Sequence, residues 1–383
     1  MKNLIKWLKK ARFPYKPLIT VYLDRSSLIH NIKQFLTLAP EGHIAPTLKS
    51  NAYGHGIVEI ASILENETRN DSSLKPKIPF FCIDSYFEAM TLRSRGIKTP
   101  LLIIGFTRPE DILISNLKNT SFAITSLHML SSIKNTTNQI KIHLKIDTGM
   151  NRQGLKEDEI DQAIFIIQNN PNIILEGIFS HFFDADSTDK THTEHQIDRW
   201  NKIVDRFQKP FTPKFIHISN TAGHNYTGKA IANLSRLGIG LYGLYPIPNL
   251  NISPVLSLKT IVTGVKKIDK GELVGYNGTF CATKPMKIAT IPVGYFEALD
   301  RRLSNIGFVK INDKDCPIIG RISMNISTVD VSHLDNISIG DEVLVISDHY
   351  EDKNSITNMA KLCKTIEYEN AIRIPQHLKR VIV

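Results

Sequence analysis

Between about residue 17 and residue 245 the chain alternates short apolar runs, rich in β-branched residues, with longer stretches whose apolar positions recur at helical spacing. After a leading strand at 19–24 and a helix at 26–38, eight runs read as strands: 44–49, 80–84, 101–104, 122–125, 140–147, 174–181, 215–219 and 234–236. Amphipathic segments such as 85–95, 158–168 and 194–207 separate them. Alternation of this kind predicts a parallel sheet with helices packed on it. Eight such units over roughly 230 residues fit a (β/α)8 barrel in number and size.

From about residue 254 the texture changes. Strand-like runs at 256–268, 286–293, 308–311, 326–331 and 342–346 follow one another with turns between them, and one helix-like piece at 355–362 interrupts the series. The expected fold is α/β: a (β/α)8 TIM-like barrel over 17–245, then a mainly β C-terminal domain over 246–383, with 1–16 an N-terminal extension. At 383 residues the chain exceeds what one core usually organises, which favours two domains. The proline-rich stretch 246–254 is the natural linker, and the leading strand 19–24 is a candidate to pair with the C-terminal domain.

Composition narrows the classes of function. A hydrophobic content of 42% and a charged content of 22% are ordinary for a soluble globular chain. The formal charge is +10, from 47 basic and 37 acidic residues, but the basic residues are scattered. No long basic block with interleaved aromatics occurs, so no nucleic-acid partner is expected; the excess suits small anionic ligands or a solvated surface. The cysteines Cys82, Cys281, Cys316 and Cys363 stand far apart, without a CxxC pair. They read as reduced thiols of a cytoplasmic protein rather than disulfides or a zinc site, and no metal is expected. The N-terminal MKNLIKWLKKAR has apolar residues at Leu4, Ile5, Trp7 and Leu8, but lysines break it before a signal-like core forms. No run reaches transmembrane length and no membrane partner is expected; the extension reads as a packing or frayed segment, with a peripheral membrane helix as the alternative.

The most informative segment is Pro46-Thr-Leu-Lys-Ser-Asn-Ala-Tyr-Gly-His-Gly56. Lys49 closes the first barrel strand in this reading, on the face where barrel active sites lie. A lysine there is partly desolvated, which frees its amine to form an imine with an aldehyde cofactor. Tyr53 follows four residues later, near the start of the next helix, where a phosphate is welcome. Taken alone, Lys49 reads as a surface lysine at a strand end; the flanking Asn-Ala-Tyr-Gly-His-Gly reverses that balance. Other signals fall away. Gly238-Ile-Gly-Leu-Tyr-Gly243 has the spacing of a dinucleotide fingerprint, but Pro246 and Pro248 arrive where its helix should begin. His192 and His195 share a helix face without a third ligand.

At these residues the sequence closely resembles alanine racemases, whose corresponding stretch reads Lys-Ala-Asn-Ala-Tyr-Gly-His-Gly; here Ser50 replaces the first alanine. The resemblance continues in order through nearly the whole chain from Leu18. It runs through Lys145-Ile-Asp-Thr-Gly-Met-Asn-Arg-Gln-Gly154, Ser180-His-Phe, His217-Ile-Ser-Asn-Thr-Ala and Ser235-Arg-Leu-Gly-Ile-Gly-Leu-Tyr-Gly243. It goes on through Val274-Gly-Tyr-Asn-Gly-Thr-Phe280, Gly320-Arg-Ile-Ser-Met324 and Thr365-Ile-Glu-Tyr368. One such match is weak; eight in register are highly specific.

The resemblance implies an isomerase that uses pyridoxal 5'-phosphate (PLP) to interconvert L- and D-alanine, supplying D-alanine for peptidoglycan from a homodimer with shared active sites. It implies that Lys49 carries PLP as a Schiff base and serves as one acid/base, and that Tyr276 is the opposite base, reaching in from the partner subunit. Proton exchange on both faces of a planar carbanion requires two such groups. Arg236 would face the pyridine nitrogen and, unable to yield its proton, leave that nitrogen unprotonated. Tyr53, Thr221, Tyr368 and the backbone of Gly238 and Ile239 resemble the phosphate cradle, after the strands where barrels commonly seat phosphates. Arg152 would bind the cofactor's phenolic oxygen and the substrate carboxylate, Met324 would offer its backbone N–H to that carboxylate across the dimer, and His181 would pack on the pyridine. Lys145 would brace Arg152, with or without the carbamylation seen in some relatives, and Tyr295, Asp186 and Arg321 would border the substrate entrance.

Three departures from the family pattern stand out. Asn325 follows Met324 where aspartate is usual, Asn151 replaces a glycine, and Phe296-Glu-Ala298 stands where relatives have Ala-Asp-Gly. They bear on substrate range, so a racemase of serine or of several amino acids is the nearest variant. A PLP-dependent decarboxylase would call for a carboxylate where Arg236 stands, and a non-catalytic PLP-binding protein would lack the β domain that carries Tyr276.

Overall fold

The computed structural model describes residues 15–39, 42–226, 228–245 and 250–383. Leu4, Ile5, Trp7 and Leu8 of the expected extension, and positions 246–249 of the expected linker, lie outside the described residues. Contacts divide the described residues into two units, one within Asp24–Val255 and a second made of Tyr15–Leu23 with Leu256–Val383.

The leading strand is β1 (Thr20–Leu23). The unit that follows it contains eight parallel strands: β2 (His43–Pro46), β3 (Phe81–Ile83), β4 (Leu101–Ile103), β5 (Thr120–Ile124), β6 (Ile140–Lys145), β7 (Ile173–Phe179), β8 (Phe215–His217) and β9 (Leu234–Leu237). Strands β3 to β8 form one sheet in chain order, and β2 pairs with β9. Both seams are stitched. Thr47 bridges Cys82, and the Leu48 N–H donates to the Cys82 carbonyl at 2.7 Å. On the other side the Asn233 and Arg236 N–H groups donate to the carbonyls of Ile216 (3.0 Å) and Ser219 (3.1 Å). The ring closes as a (β/α)8 barrel, as the alternation of textures predicts.

Parallel strands covered on both faces must be apolar at nearly every position, and β3, β4 and β5 are buried throughout. Ala45, Phe80, Cys82, Leu102, Phe215 and Leu234 pack into one cluster of this unit. Helices Arg25–Leu38, Tyr86–Ser94 and Leu127–Ser132 begin where Asp24, Ser85 and Ser126 accept a backbone N–H of the first turn.

In the second unit the strands are β10 (Leu256–Ile261), β11 (Gly264–Ile268), β12 (Leu273–Val274), β13 (Phe280–Cys281), β14 (Met286–Ile291), β15 (Phe308–Ile311), β16 (Lys314–Pro317), β17 (Ser327–Asp330), β18 (Glu342–Ile346) and β19 (Lys379–Ile382). A six-stranded sheet runs β16-β15-β18-β10-β1-β19, beside a three-stranded sheet β11-β14-β17 and the β12-β13 hairpin. Strand β1 lies antiparallel to β10 and parallel to β19.

Some boundaries correct the sequence reading. The first barrel strand stops at Pro46, so Lys49 does not close it; Lys49 opens a separate turn, and the next helix starts only at Ile57, beyond Tyr53. The run 256–268 is two strands, broken at residues 262–263. Strands β16 and β19 and the helix Glu367–Ile372 were not expected, because Lys-Asp-Cys-Pro and Lys-Arg-Val-Ile carry too few apolar positions to show a period. Among the described residues no helix is long and apolar enough to cross a membrane.

Asn31, fully buried on helix Arg25–Leu38, shows how the barrel unit holds its last loop. Its amide donates to the carbonyls of Leu241 (3.1 Å) and Ser253 (2.9 Å) and accepts from the Ser253 N–H (2.8 Å). Asn31→Leu keeps the volume and strands three backbone groups, each at about 1–3 kcal/mol. Urea unfolding is expected to show a loss of at least about 3 kcal/mol; an unchanged midpoint would refute this role.

Candidate active site

The chemistry-bearing side chains of the barrel unit gather where its strands end. Arg236, at the third position of β9, is buried and saturated with acceptors. One terminal nitrogen donates to His217 Nδ1 (2.6 Å) and the His217 carbonyl (3.2 Å). The other donates to the carbonyls of Ser180 (2.7 Å) and Ile218 (3.1 Å) and to His181 Nδ1 (3.0 Å). A guanidinium has no lone pair to offer, so both Nδ1 atoms must accept and each neutral ring keeps its proton on Nε2. Burial first, and the Arg236 charge second, push the His181 and His217 pKa values well down, which holds both rings neutral.

The pattern extends through the barrel. His217 Nε2 donates to His143 Nδ1 at 2.9 Å, and His143 Nε2 faces Glu176 Oε2 at 3.4 Å. The Ser121 hydroxyl donates to the same carboxylate oxygen at 2.5 Å. Two neutral imidazoles thus join a buried cation to a carboxylate, with every proton directed from Arg236 toward Glu176. Gly177 makes room, since a Cβ there would lie 2.5 Å from His143 Nδ1. Sequence reasoning assigned no role to His143, Glu176 or His217. Both histidines lie in or beside the quoted motifs, but nothing in the linear order shows that three strands bring them into line.

Lys49 is half-buried and opens a left-handed turn. Ser50, Asn51, Ala52 and Tyr53 all have φ between 52° and 56°. Such a conformation costs about 1–2 kcal/mol per non-glycine residue, so it must be held from outside. Glu88 accepts the N–H groups of Ser50 (2.8 Å) and Asp84 (2.7 Å). Asn51 accepts from the Ile57 N–H at 3.0 Å, and His55 Nδ1 meets the carbonyls of Ala52 (3.1 Å) and Tyr53 (3.0 Å). The Tyr242 ring packs on His55 and Tyr53, and its hydroxyl donates to the Thr47 carbonyl at 2.8 Å.

The same end of the barrel is electropositive. Burial, then Arg152 and Arg236, push the Lys145 amine down to about 8, with Lys49 contributing. Lys145 Nζ lies 3.4 Å from Gln153 Oε1. Arg152 is exposed on the loop after β6, where Asp147 accepts the N–H groups of Gly149 (2.9 Å) and Asn151 (3.1 Å). Tyr53, Thr221 and Gly238 converge: a Cβ on Gly238 would lie 2.7 Å from the Tyr53 hydroxyl and 3.8 Å from that of Thr221. Two hydroxyls around a bare backbone, followed by the short turn Ile239–Tyr242, fit a phosphate. Asp186 is exposed on the segment between β7 and helix Thr191–Gln208.

Tyr276, Tyr295, Arg321, Met324 and Tyr368 belong to the other unit. There Tyr276 and Met324 line one groove with Gly275, Ser323, Asn325 and Ile326, and both are more than half exposed. Arg321 lies against Gly275, and Tyr295 and Tyr368 are partly exposed. Among the described residues no cluster of three histidine, cysteine or acidic side chains could hold a metal ion.

Comparison with known proteins bears on this arrangement. Residues 23–246 match the family model described as alanine racemase, N-terminal domain, and residues 255–382 match the model of the C-terminal domain. The chain belongs to the alanine racemase family. An alanine racemase of Lactobacillus acidophilus is 35% identical over 359 residues, covering 90% of this chain and 92% of that protein. The structure of an alanine racemase of Clostridium difficile 630 superposes with a TM-score of 0.87 at 28% identity, over 96% of both chains. A histidine racemase of Leuconostoc mesenteroides superposes with a TM-score of 0.84 at 26% identity, over 96% of this chain and 98% of that one.

Two departures from the alanine racemase pattern acquire a physical reading. Asn151, at a family glycine, has φ 54°, a region that asparagine tolerates better than other side chains. Ala298, also at a family glycine, has φ 81°.

Glu176 offers a test of the buried chain. Burial alone would raise its pKa, but hydrogen bonds from His143 and Ser121 outweigh it and hold the group at about 2, against an ordinary 4.5. A depressed carboxyl adds stability that is complete above its unfolded value and disappears as pH falls through its folded value. Glu176→Gln is expected to lower stability at pH 7 and to flatten the loss of stability between about pH 4.5 and about pH 2. Parallel acid-unfolding curves for the two proteins would exclude this linkage.

Proposed function

We propose that this protein interconverts L- and D-alanine with PLP as cofactor, as a homodimer whose sites take residues from both subunits. Arg236 carries the reading: a group that can only donate, locked by acceptors at the same barrel mouth as Lys49 and a phosphate-sized cradle. PLP supplies the electron sink that makes the α-proton of an amino acid removable. With both terminal nitrogens of Arg236 taken by protein acceptors, its Nε–H is the group that would be offered to a pyridine nitrogen, as a donor that does not surrender its proton, which argues against the carboxylate-assisted chemistry of decarboxylases.

The roles of the chain's own groups follow. Lys49 holds the cofactor and moves a proton at its Nζ on one face of the substrate. Tyr276 of the partner subunit moves a proton at its hydroxyl on the other face. Tyr53, Thr221 and Tyr368, with the backbone of Gly238 and Ile239, would hold the cofactor's phosphate, and His181 would help hold its ring. Arg152 and the N–H of Met324 from the partner subunit orient the substrate carboxylate. Tyr295, Asp186 and Arg321 border the entrance. The four cysteines are unpaired, which suits the cytoplasm, where D-alanine is made for peptidoglycan.

Racemisation of serine, or of several amino acids, is the second reading. It is favoured by Phe296 and Asn325 departing from the family pattern and by a similar fold in a histidine racemase. The deciding assay incubates protein and PLP with L-alanine and D-alanine separately, following enantiomers and carbon dioxide. Wild type is expected to bring both to the same mixture without releasing carbon dioxide, and Lys49→Ala and Tyr276→Phe to lose at least about 100-fold in rate. Mixing those two inactive variants is expected to restore a fraction of the sites. Failure to racemise any small amino acid would overturn the reading.

Lys145 gives an independent check. With its pKa near 8, a substantial neutral fraction exists at mildly alkaline pH and can attack carbon dioxide, forming an N–C bond and releasing a proton. Protein in 13C-bicarbonate is expected to show a carbamate resonance that grows from pH 7 to pH 8.5 and is missing in Lys145→Arg; no such resonance would leave Lys145 an ordinary amine.

A further inference from the structure

Glu297 is buried although it sits in a surface turn, and its carboxylate is committed at both oxygens. One oxygen accepts the Gly294 N–H at 2.9 Å. The other accepts the side-chain amide of Asn325 at 2.6 Å. Asn325 is itself exposed and lines the groove that holds Tyr276 and Met324. The two segments are also stitched through their backbones, Tyr295 N–H to the Ser323 carbonyl (3.1 Å) and Phe296 N–H to the Met324 carbonyl (3.0 Å). Their approach is so close that a Cβ on Gly294 would lie 2.2 Å from the Ser323 oxygen and 2.3 Å from that of Met324.

Glu297 and Asn325 are the two polar residues in the departures from the family pattern at this place. The family pattern has a carboxylate at both positions; here the side chain at 297 is one methylene longer and meets the neutral amide of Asn325. A buried carboxylate needs a donor, and with Glu297 reaching this far an aspartate at position 325 would put a second carboxylate within hydrogen-bond distance of the first, where like charges repel. Asparagine supplies the donor without charge.

We propose that Asn325 is a positioning residue for the substrate site: paired with Glu297, it sets the wall of the groove that presents Tyr276 and the Met324 backbone. It does not touch the reacting atoms. The pair holds the Met324 peptide against the 294–298 turn, so that the N–H offered to a substrate carboxylate keeps one place. This rests on the proposed racemase reading for its functional consequence, though not for the pairing itself.

The swap of hydrogen-bond partners tests it. In Asn325→Asp the two carboxylates repel, so the melting temperature is expected to fall by several degrees. KM for alanine is expected to rise about tenfold while kcat changes less than about threefold, because ground-state and transition-state binding of the carboxylate are lost together. Combining Asn325→Asp with Glu297→Gln restores the bond with its polarity reversed: the introduced amide donates to the introduced carboxylate and still accepts from Gly294. The double variant is expected to recover both the melting temperature and KM. A double variant no nearer wild type than Asn325→Asp would refute the pairing. A loss of melting temperature with KM unchanged would refute the positioning role. Should the wild type racemise no amino acid, the proposed function fails while the melting-temperature cycle still decides the pairing.

Discussion

A guanidinium buried at the mouth of a barrel cannot neutralise itself by losing a proton, so the fold must supply acceptors for it. Around Arg236 those acceptors come from the end of β8 and the segments after β7 and β8: the carbonyls of Ser180, His217 and Ile218 and the Nδ1 atoms of His181 and His217. Each acceptor constrains what lies behind it. The register of β8 against β9 has to place residues 217 and 218 beside residue 236. The tautomers of two histidines are settled, and through His217 the order reaches His143 and Glu176. The cation also depresses His181 and Lys145, so the site's charge pattern depends on it. Burial in turn pulls the Arg236 pKa to about 10, still high enough to keep it charged at neutral pH.

The second constraint is conformational. Four consecutive residues with positive φ put Lys49 at the head of a turn that ordinary propensities oppose. Glu88, His55 and Tyr242 hold it in a shape it would not adopt alone, and each comes from a different place: a neighbouring helix, the turn's own end and the segment after β9. The strained turn and the buried arginine have a similar structural effect. The acceptors fix the Arg236 guanidinium, and the held turn fixes the backbone from which Lys49 projects.

Periodicity made the barrel legible because its strands are short, apolar at nearly every position and spaced by amphipathic helices. The second unit was less legible: β16 and β19 are polar, and their place follows from pairing with β15 and β1 rather than from any local pattern. Among the candidate residues, Lys49, Tyr53, Arg236, Thr221 and Gly238 announced themselves through motifs with particular residues at particular spacing. Glu88, Glu176 and Glu297 did not. A glutamate looks the same in sequence whether it solvates a surface or accepts two buried N–H groups, and only its neighbours distinguish the cases.

The sequence by itself determined the alternation that builds the barrel and the change to a β-rich unit, since these follow from local composition and spacing, and its motifs carried the resemblance that implies a cofactor on Lys49. The tertiary structure decided the rest. It ended the first strand three residues before Lys49, turned the next segment left-handed, ran a hydrogen-bonded line from Arg236 to Glu176 and coupled Glu297 to Asn325. Those outcomes depend on groups 19 to 74 residues apart meeting at hydrogen-bond distance. Contacts of that kind leave no period in the chain.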